Sequence, residues 1–271
     1  MHDHHDDHAL TELRGLAERL ATQAGEEALT GRRRLGVGQP VAHDTKSSPT
    51  DPVTEFDRAA EHLIVEELRR HRPDDAIVGE EGAEDPGTSG LAWHIDPIDG
   101  TANFVYDLPA WCTSVAVVDA SGPLAGAVYV PVTGELFSAA RGRGATLNAS
   151  PIACSIVDDL GRALVGTGFS YSSERRSRQA QRLALLVPRV RDVRRLGSAA
   201  IDLCLVASGR LDAYYEEHLN SWDMAAGVLI AAEAGATTTD LFGGVASPES
   251  TVAAAPGVHA ALLALIAELD R

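Results

Sequence analysis

The hydrophobic periodicity changes along the chain, and this change constrains the fold more than any other feature. Residues from about 9 to 30 and from about 54 to 71 place apolar side chains at three- and four-residue steps, which predicts two amphipathic helices. From 76 to 146 the apolar residues instead form short β-rich runs, separated by turn signals such as Ser121-Gly122-Pro123. Such runs are typical of antiparallel strands. The chain is therefore expected to pack helices against a sheet.

The segments that flank the first helix lack this periodicity. The helix is expected to end near Gly31, and the Gly-, Pro- and polar-rich stretch from 31 to 52 predicts a long loop. Residues 1–8, rich in His and Asp, have the composition of a metal-binding tract. Because they precede any periodic structure, they are expected to form a mobile N-terminal segment.

Strands and helices alternate differently in the two halves of the chain. In the first half, strands are predicted at 77–78, 91–95, 113–118, 126–130 and 136–139. In the second half, strands are predicted at 164–165 and 211–215, and helices at 173–187, 197–208, 222–234 and 257–269. This order predicts a layered sandwich of the α+β or α/β class. Residues 9–271 are expected to form a single unit, with an α+β part at 9–150 and an α/β part at 151–271.

The charge balance limits the classes of ligand. Among 271 residues there are 23 Lys and Arg against 39 Asp and Glu, a formal net charge of −16. The electrostatic field of so acidic a protein repels polyanions, so direct binding to nucleic acid is not expected. It would also repel a phosphorylated substrate, unless bound metal ions reverse the field locally.

Cysteine usage and hydropathy indicate the compartment. Cys112, Cys154 and Cys204 are odd in number, far apart and form no CxxC pair, which fits reduced thiols in a cytosol. The sequence contains no apolar run of about 18 residues and no apolar stretch typical of a signal peptide. We therefore expect a cytoplasmic protein that makes no use of a membrane.

The strongest local signal is the run Asp96-Pro97-Ile98-Asp99-Gly100-Thr101. Here an apolar strand delivers two carboxylates, three residues apart, into a Pro/Gly turn. Hard cations prefer clustered oxygen ligands, and the Ile98 carbonyl could supply a third. If Thr101 opens a helical turn, its amide and that of Gly100 would form a cradle for an anion. Taken alone, however, two Asp residues can simply shape a turn.

Other acidic residues have both a structural and a functional interpretation. Glu80 and Glu81 follow a short strand at 76–78, where site residues often lie, but such a pair is usually only solvated. Asp223 lies at the start of a predicted helix and Asp57 in the first turn of another, where either could serve as a cap or dipole partner.

Together these segments resemble the inositol monophosphatase family of metal-dependent, lithium-sensitive sugar phosphatases. Five segments match in the family's order: Lys46-Ser47-Ser48-Pro49 with Val53-Thr54-Glu55-Phe56-Asp57, Gly79-Glu80-Glu81, Asp96 to Phe104, Gly197-Ser198-Ala199-Ala200, and Trp222 to Gly227. They cover the chain from about 46 to 240. The order of all five carries the resemblance, since each alone is weak to moderate.

The resemblance implies roles for individual residues. Glu80, Asp96 and the Ile98 carbonyl would hold one Mg²⁺, and Asp96, Asp99 and Asp223 a second, with two or three Mg²⁺ per site. Thr101 and Asp57 would orient the attacking water, with Glu81 nearby and Lys46 on a loop close to the site. The resemblance further implies that Gly100 and Thr101 hold the phosphate, and that substrate hydroxyls meet Asp99, Gly197, Ser198, Ala199 and Glu216.

The family resemblance leaves the substrate open. Inositol 1-phosphate is the first candidate, followed by histidinol phosphate, fructose 1,6-bisphosphate and nucleotide 3′-phosphates. A bisphosphate would require a further basic group, and the sequence does not place the cluster from Arg189 to Arg195 near the site. A homodimer is also implied. The alternative from another class is a non-catalytic partner of the transcription or ribosome machinery.

Overall fold

Seven α-helices lie within the residues that the computed structural model describes, which are 4–46 and 51–269. They are α1 (His4–Leu35), α2 (Glu55–His71), α3 (Thr101–Val105), α4 (Ser173–Leu186), α5 (Ala199–Ala207), α6 (Ser221–Glu233) and α7 (Pro256–Leu269). Within those two ranges, none of the helices combines the length and the hydropathy that a membrane crossing requires.

The first half of the chain builds a hairpin and an eight-stranded sheet. The hairpin consists of β1 (His43–Thr45) and β2 (Pro52–Thr54). The strands of the sheet are β3 (Ala76–Gly79), β4 (Glu84–Asp85), β5 (Ala92–Asp99), β6 (Cys112–Asp119), β7 (Gly122–Val130), β8 (Glu135–Ala140), β9 (Ala145–Leu147) and β10 (Ser150–Pro151). Their spatial order is β10-β9-β8-β7-β6-β5-β3-β4, and every pair is antiparallel except β3 with β5.

The second half builds a five-stranded mixed sheet. Its strands are β11 (Leu164–Thr167), β12 (Asp192–Arg194), β13 (Ala213–Glu217), β14 (Thr237–Thr239) and β15 (Ser250–Ala254). The spatial order is β12-β11-β13-β15-β14, with β11 parallel to both of its neighbours and β15 antiparallel to both of its own.

Helices separate and cover the two sheets. On the outer face of the large sheet, α1 and α2 pack through a core that includes Leu20, Ile64 and Trp93. Between the sheets, α5 and α6 bury nearly all their apolar side chains, with Leu203 at 0% exposure. Outside the small sheet, α4 and α7 share a third core around Leu186. This succession of layers confirms the predicted sandwich.

The first helix is longer at both ends than its sequence pattern predicts. It continues past Gly31 because this glycine is a packing site rather than a stop: an added Cβ would lie 2.3 Å from the Phe56 ring. Arg32 then tethers the last turns by donating from Nε to the Phe104 carbonyl oxygen at 3.2 Å. At the other end α1 begins at His4, and Asp7 in its early turns pairs with Arg143. The described part of the segment expected to be mobile, residues 4–8, is therefore helical.

Several short strands escaped the sequence pattern. The stretch predicted as a loop from 31 to 52 contains the β1–β2 hairpin, in which Lys46 donates its amide to the Asp51 carbonyl oxygen at 2.9 Å. Strands β12, β14 and β15 were also not predicted. They are three to five residues long and owe their pairing to neighbours distant in sequence, for example Tyr214 beside Ala253. Ser47, Ser48 and Pro49 of the first family-like segment lie outside the described residues.

Candidate active site

A cavity of about 860 Å³ opens where the end of β5 meets the N-termini of α3, α5 and α6. Many of the residues singled out from the sequence line it; they are Lys46, Glu80, Asp96, Ile98, Asp99, Gly100, Thr101, Gly197, Ala199, Glu216 and Asp223. Asp57, Glu81 and Ser198 lie behind this wall and contact it through hydrogen bonds or ion pairs. The fold therefore gathers residues that are far apart in sequence.

The two central carboxylates lie on a strand rather than in the turn that the sequence predicts. β5 runs through Asp99, and its register against β6 shifts between Asp96 and Asp99. Thr113 of β6 donates its hydroxyl to the Pro97 carbonyl oxygen at 2.8 Å, which holds the irregular segment in place. Gly100 then ends the strand at φ 94°, where a Cβ would lie 2.9 Å from the Ala110 carbonyl oxygen. Only glycine fits this position.

Thr101 opens the short helix α3, as the sequence predicts. Its hydroxyl oxygen lies 3.2 Å from Asp57 Oδ1 and 3.0 Å from the Ile98 carbonyl oxygen. Asn103 in the same helix donates from Nδ2 to the Ala110 and Leu196 carbonyl oxygens, at 2.6 and 2.8 Å. This amide, which the sequence reasoning did not single out, fastens α3 to the segment that precedes Gly197.

Asp57 caps α2, which is the structural interpretation that its sequence position allowed, and it also contacts Thr101. Its Oδ2 accepts from the amide of Thr54 at 2.8 Å and forms a capping box at the start of α2. Its Oδ1 faces Thr101. Burial raises the pKa of Asp57 to about 6, against the lowering effect of the hydrogen bonds from Thr54.

Glu80 and Glu81 are held by groups on two other elements. Lys46 Nζ lies 2.9 Å from Glu80 Oε1 and also pairs with Glu81. Burial raises the pKa of Glu81 to about 7, although Lys46 acts in the opposite direction. Glu61 of α2, another residue that the sequence reasoning missed, accepts from the amides of Glu81 at 2.8 Å and Ala83 at 3.0 Å. The only signal for Glu61 is an acid on the buried face of an amphipathic helix.

Asp99 is oriented by the start of α5. Its Oδ2 accepts from the Ser198 hydroxyl at 2.6 Å and from the Ala200 amide at 2.7 Å. Burial nevertheless raises the pKa of Asp99 to about 6. Ser198 also caps the helix through the Ile201 amide, so its hydroxyl is directed at Asp99 and the helix rather than at the cavity.

Asp96 and Asp223 complete a group of four neighbouring acids with Glu80 and Asp99. Both Asp96 and Asp223 line the cavity beside Glu80 and Asp99. Burial, followed by repulsion from Glu80, Asp99 and Asp223, holds the pKa of Asp96 well above its usual range. The pKa of Asp223 is raised by burial and by the charges of Asp99 and Glu80, although the Asn220 amide donates to Asp223 Oδ2 at 2.6 Å.

These acids fit a divalent metal ion. Two of their buried oxygens, Glu80 Oε2 and Asp96 Oδ1, have no hydrogen-bond partner. Burying a carboxylate oxygen without a hydrogen-bond partner costs free energy, and a bound cation would remove that cost by coordinating the oxygen. Over 4–46 and 51–269 no three His, Cys, Asp or Glu side chains are already closed around a single point. Mutually repelling carboxylates stay apart until a cation draws them together, so the unpartnered oxygens fit a metal site that has not closed.

Glu216 is the penultimate residue of β13 and lines the same cavity from the small sheet. It accepts from the Tyr214 hydroxyl at 2.6 Å. Burial raises the pKa of Glu216 to about 7, although Tyr214 and Arg195 both favour the ionised form. Arg195, the last residue of the cluster that the sequence did not place near the site, lines this part of the cavity. Phe169 and Tyr171 also line it and were not singled out from the sequence.

Comparisons with known proteins agree over nearly the whole chain. The sequence profile of the inositol monophosphatase family matches residues 9–271. The chain is 47% identical over 274 residues to the inositol-1-monophosphatase of Mycobacterium leprae, covering 94% of this chain and 93% of that protein. It is 39% identical over 247 residues to a Pasteurella multocida protein named Nus factor SuhB, covering 90% of this chain and 91% of that protein.

A solved structure gives the same result. Mycobacterium tuberculosis SuhB superimposes with a TM-score of 0.82 and 43% sequence identity, covering 96% of this chain and 97% of that one. The matches confirm the resemblance drawn from the five segments, and with it the class of enzyme, a phosphomonoester hydrolase. The chain belongs to the inositol monophosphatase family.

Proposed function

We propose that this protein hydrolyses small phosphorylated polyols in a Mg²⁺-dependent reaction, with inositol 1-phosphate as the first substrate to test. One observation carries the proposal. Glu80, Asp96, Asp99 and Asp223 converge on one cavity wall, and two of their buried oxygens lack any partner. The Mycobacterium leprae relative is an inositol-1-monophosphatase, which supports the same substrate.

The acids would hold the metal ions. Glu80, Asp96 and the Ile98 carbonyl would bind one Mg²⁺, and Asp96, Asp99 and Asp223 would bind a second. The proposal is two or three Mg²⁺ per site. When bound, Mg²⁺ lowers the pKa of a coordinated water and neutralises charge on the phosphate and the leaving oxygen. Lys46 keeps Glu80 and Glu81 in place through its two ion pairs.

Thr101 and Asp57 would position the attacking water. The Thr101 hydroxyl is directed at Asp57 Oδ1 and the Ile98 carbonyl oxygen, so its lone pairs remain able to accept a hydrogen bond from water. Asp57, whose pKa is raised to about 6, is ionised above that pH and can receive a proton through Thr101. Glu81 would assist as a second buried acid nearby.

The remaining candidates would hold the substrate. The backbone of Gly100 and Thr101 would bind the phosphate, and Gly197, Ala199 and Glu216 would meet the hydroxyls of the polyol. Ser198 would act through Asp99, since its hydroxyl donates to that carboxylate. The proposal therefore places the residues for phosphate hydrolysis on the large sheet and those for substrate selectivity mainly on the small sheet.

Phosphate release from a substrate panel tests the proposal. The panel contains inositol 1-phosphate, histidinol phosphate, fructose 1,6-bisphosphate and a nucleotide 3′-phosphate, each with and without Mg²⁺ and Li⁺. We expect Mg²⁺-dependent release that lithium inhibits, fastest for inositol 1-phosphate among the monophosphates. No release from any of the four would refute the proposed function.

Asp99→Asn tests the assignment of the site. We expect a fold-change in kcat of about 10³ or more, because the variant removes a metal ligand, with the far-UV circular dichroism unchanged. Asp119→Asn is the matched control, because Asp119 lies on the β6–β7 hairpin, pairs with Arg141 and does not line the cavity. Near-normal turnover of Asp99→Asn would contradict the role given to this residue.

A second candidate is a non-catalytic role beside the transcription or ribosome machinery, which the name of the Pasteurella multocida relative favours. The group of four acids argues for catalysis, because packing alone does not require charges that repel one another. The net charge of −16 argues against direct binding to nucleic acid. If both roles exist, Asp99→Asn should lose turnover and keep its protein partners.

We also propose that the protein is cytoplasmic and acts as a homodimer. The three cysteines, all free, support a reducing compartment. Light scattering coupled to size-exclusion chromatography tests the dimer, for which a mass near the monomer's 28.6 kDa would be the contradicting result.

A further inference from the structure

The first turn of α6 is hydrogen-bonded to the large sheet by two side-chain contacts. His94 Nδ1 on β5 and the Ser221 hydroxyl at the start of α6 share a hydrogen bond of 2.7 Å. On the neighbouring strand β6, the Ser114 hydroxyl donates to the carbonyl oxygen of Trp222 at 3.3 Å. Two consecutive residues of α6 are therefore tied to two adjacent strands of the sheet.

Asp96 lies between these two contacts on the sheet. His94 and Asp96 are two residues apart on β5, so their side chains leave the same face of the strand. Ser114 is paired with Asp96 in the register of β5 with β6, which places its side chain on that face too. The opposite face of β5 carries Trp93 and Ile95, which pack in the core beneath α1 and α2. The contacts with α6 thus flank the acid expected to bind both metal ions.

The position of Asp223 depends on where the first turn of α6 is placed. Asn220 is the N-cap of the helix, and its amide donates to Asp223 Oδ2 at 2.6 Å. The Asp223 carboxylate is therefore fixed to the turn that carries it. Because Asn220 supplies the cap, the Ser221 hydroxyl is left to bond outside the helix, and it does so with His94. A shift of this turn away from the sheet would carry Asp223 away from Asp96.

Repulsion between the acids favours such a shift when no cation is bound. Burial, and after it the charges of Asp99 and Glu80, raises the pKa of Asp223. The charge of Asp223 in turn disfavours ionisation of Asp96, so the two carboxylates repel each other whenever both are ionised. The hydrogen bonds that His94 and Ser114 make with α6 oppose this repulsion. They therefore limit how far the two acids can part.

We propose that His94 and Ser221, assisted by Ser114, are positioning residues that preorganise the metal site by holding α6 against β5. None of the three lines the cavity, so each acts through the acids beside it. The inference rests on the proposed function, because it concerns the proposed Mg²⁺ site that Asp96 and Asp223 share. Residues that do not touch a metal commonly tune its affinity by holding its ligands in place.

A Mg²⁺ titration of substrate-free protein tests the inference, with the rise in Tm and the heat of binding as readouts. Ser221→Ala removes the hydroxyl, and we expect the apparent Kd for Mg²⁺ to increase about threefold to tenfold, the effect of losing one hydrogen bond. His94→Phe, which keeps a ring but loses Nδ1, should give an increase of the same order. Ser221→Thr restores the hydroxyl and should bring the apparent Kd back towards the wild-type value.

A double variant and a matched control separate this contact from a general loss of stability. His94→Phe combined with Ser221→Ala should raise the apparent Kd no further than either change alone, because both remove the same hydrogen bond. Ser173→Ala is the control, since Ser173 opens α4 as Ser221 opens α6 but is exposed and lies outside the cavity lining. It should leave the apparent Kd unchanged. Tm measured without Mg²⁺ records the effect of each variant on folding alone.

Phosphate release from inositol 1-phosphate gives an independent readout. Because His94 and Ser221 act only by positioning a metal ligand, their variants should be slow at limiting Mg²⁺ and regain most of kcat at saturating Mg²⁺. The KM for the substrate should stay near the wild-type value, since neither residue lines the cavity. A loss of kcat that saturating Mg²⁺ does not reverse would contradict the positioning role.

The outcomes separate this inference from the proposed function. An unchanged apparent Kd in both single variants, even with a lower Tm of the metal-free protein, would overturn the positioning role. So would a double variant whose increase is the product of the two single increases. In either case Mg²⁺-dependent phosphate release by the wild type would leave the proposed function intact. A wild-type protein that neither responds to Mg²⁺ nor releases phosphate would overturn both.

Discussion

Neutralising Glu216 should make the metal-free protein more stable and the enzyme less active. Glu216 lies in the cavity wall, and burial raises its pKa from 4.5 to about 7. The folded protein therefore binds a proton at this site more tightly than the unfolded chain does. The resulting loss of stability begins as the pH rises through 4.5, where the unfolded chain ionises, and is complete once the pH passes about 7.

The magnitude follows from the size of the shift. A difference of one pKa unit corresponds to about 1.4 kcal/mol, so the full shift would amount to about 3 kcal/mol. Glu216 keeps partial contact with the solvent in the cavity, which screens its charge, and we expect about 1–2 kcal/mol. In Glu216→Gln the side-chain carbonyl can still accept from the Tyr214 hydroxyl, so the variant removes the charge without removing the hydrogen bond.

Thermal unfolding of metal-free protein, followed by circular dichroism, measures this effect. At pH 8, Glu216→Gln should raise Tm by about 2–6 °C, and at pH 5 by much less, because there the folded wild type holds Glu216 protonated. The adjacent Glu217→Gln is the control: it loses the ion pair with Arg182 and should gain no stability at pH 8. A gain of equal size at both pH values would show that burial of charge is not the cause. With inositol 1-phosphate, Glu216→Gln should lose kcat/KM, since the carboxylate would meet the substrate hydroxyls.

Two further predictions concern metal binding and packing. Asp96→Asn should raise Tm in the absence of metal, because it relieves repulsion from Glu80, Asp99 and Asp223. It should also abolish the rise in Tm that Mg²⁺ is expected to cause in the wild type. A rise in Tm that persists in the variant when Mg²⁺ is added would contradict the assignment of Asp96 as a ligand. In α1, Gly25→Ala should destabilise the fold by about 1–3 kcal/mol, because the new Cβ would lie 2.8 Å from Pro131 and Tyr129. Gly15→Ala in the same helix should instead stabilise the fold by about 0.5–1 kcal/mol, because the nearest atom to its new Cβ would be 3.6 Å away. Urea unfolding of both variants checks this pair, and equal effects would refute the packing argument.

Local sequence patterns predicted much of the secondary structure. The amphipathic period of α2 predicts this helix almost to the residue, because periodicity is a local property. The same holds for β6, predicted at 113–118, whereas β7 begins four residues before its predicted start at 126. Gly31 misled the prediction, since whether a glycine ends a helix or admits a neighbouring ring depends on Phe56, which lies in another element.

The candidate site also combines features that the sequence predicts with features that only the tertiary structure shows. The carboxylates and the order of the five family-like segments are properties of the sequence, and they determined the family and the class of enzyme. The orientation of Asp99 by Ser198 and of Glu81 by Glu61 was decided only by the tertiary structure. Each of these contacts joins residues far apart in the chain, and no local pattern encodes such a distance.

The basic side of the cavity lining belongs to the second category as well. The sequence contains the arginines of α4 and the cluster from Arg189 to Arg195, but their periodicity does not distinguish solvent from cavity. The packing of the small sheet and α4 around the cavity brings Arg175, Arg178 and Arg195 to its lining and leaves Arg189 in a pair with Glu268. The sequence by itself determined the family and the class of enzyme, because the acidic residues and the order of the five family-like segments are properties of the chain alone. Only the tertiary structure decided which cations face those acids, because that depends on how the two sheets meet.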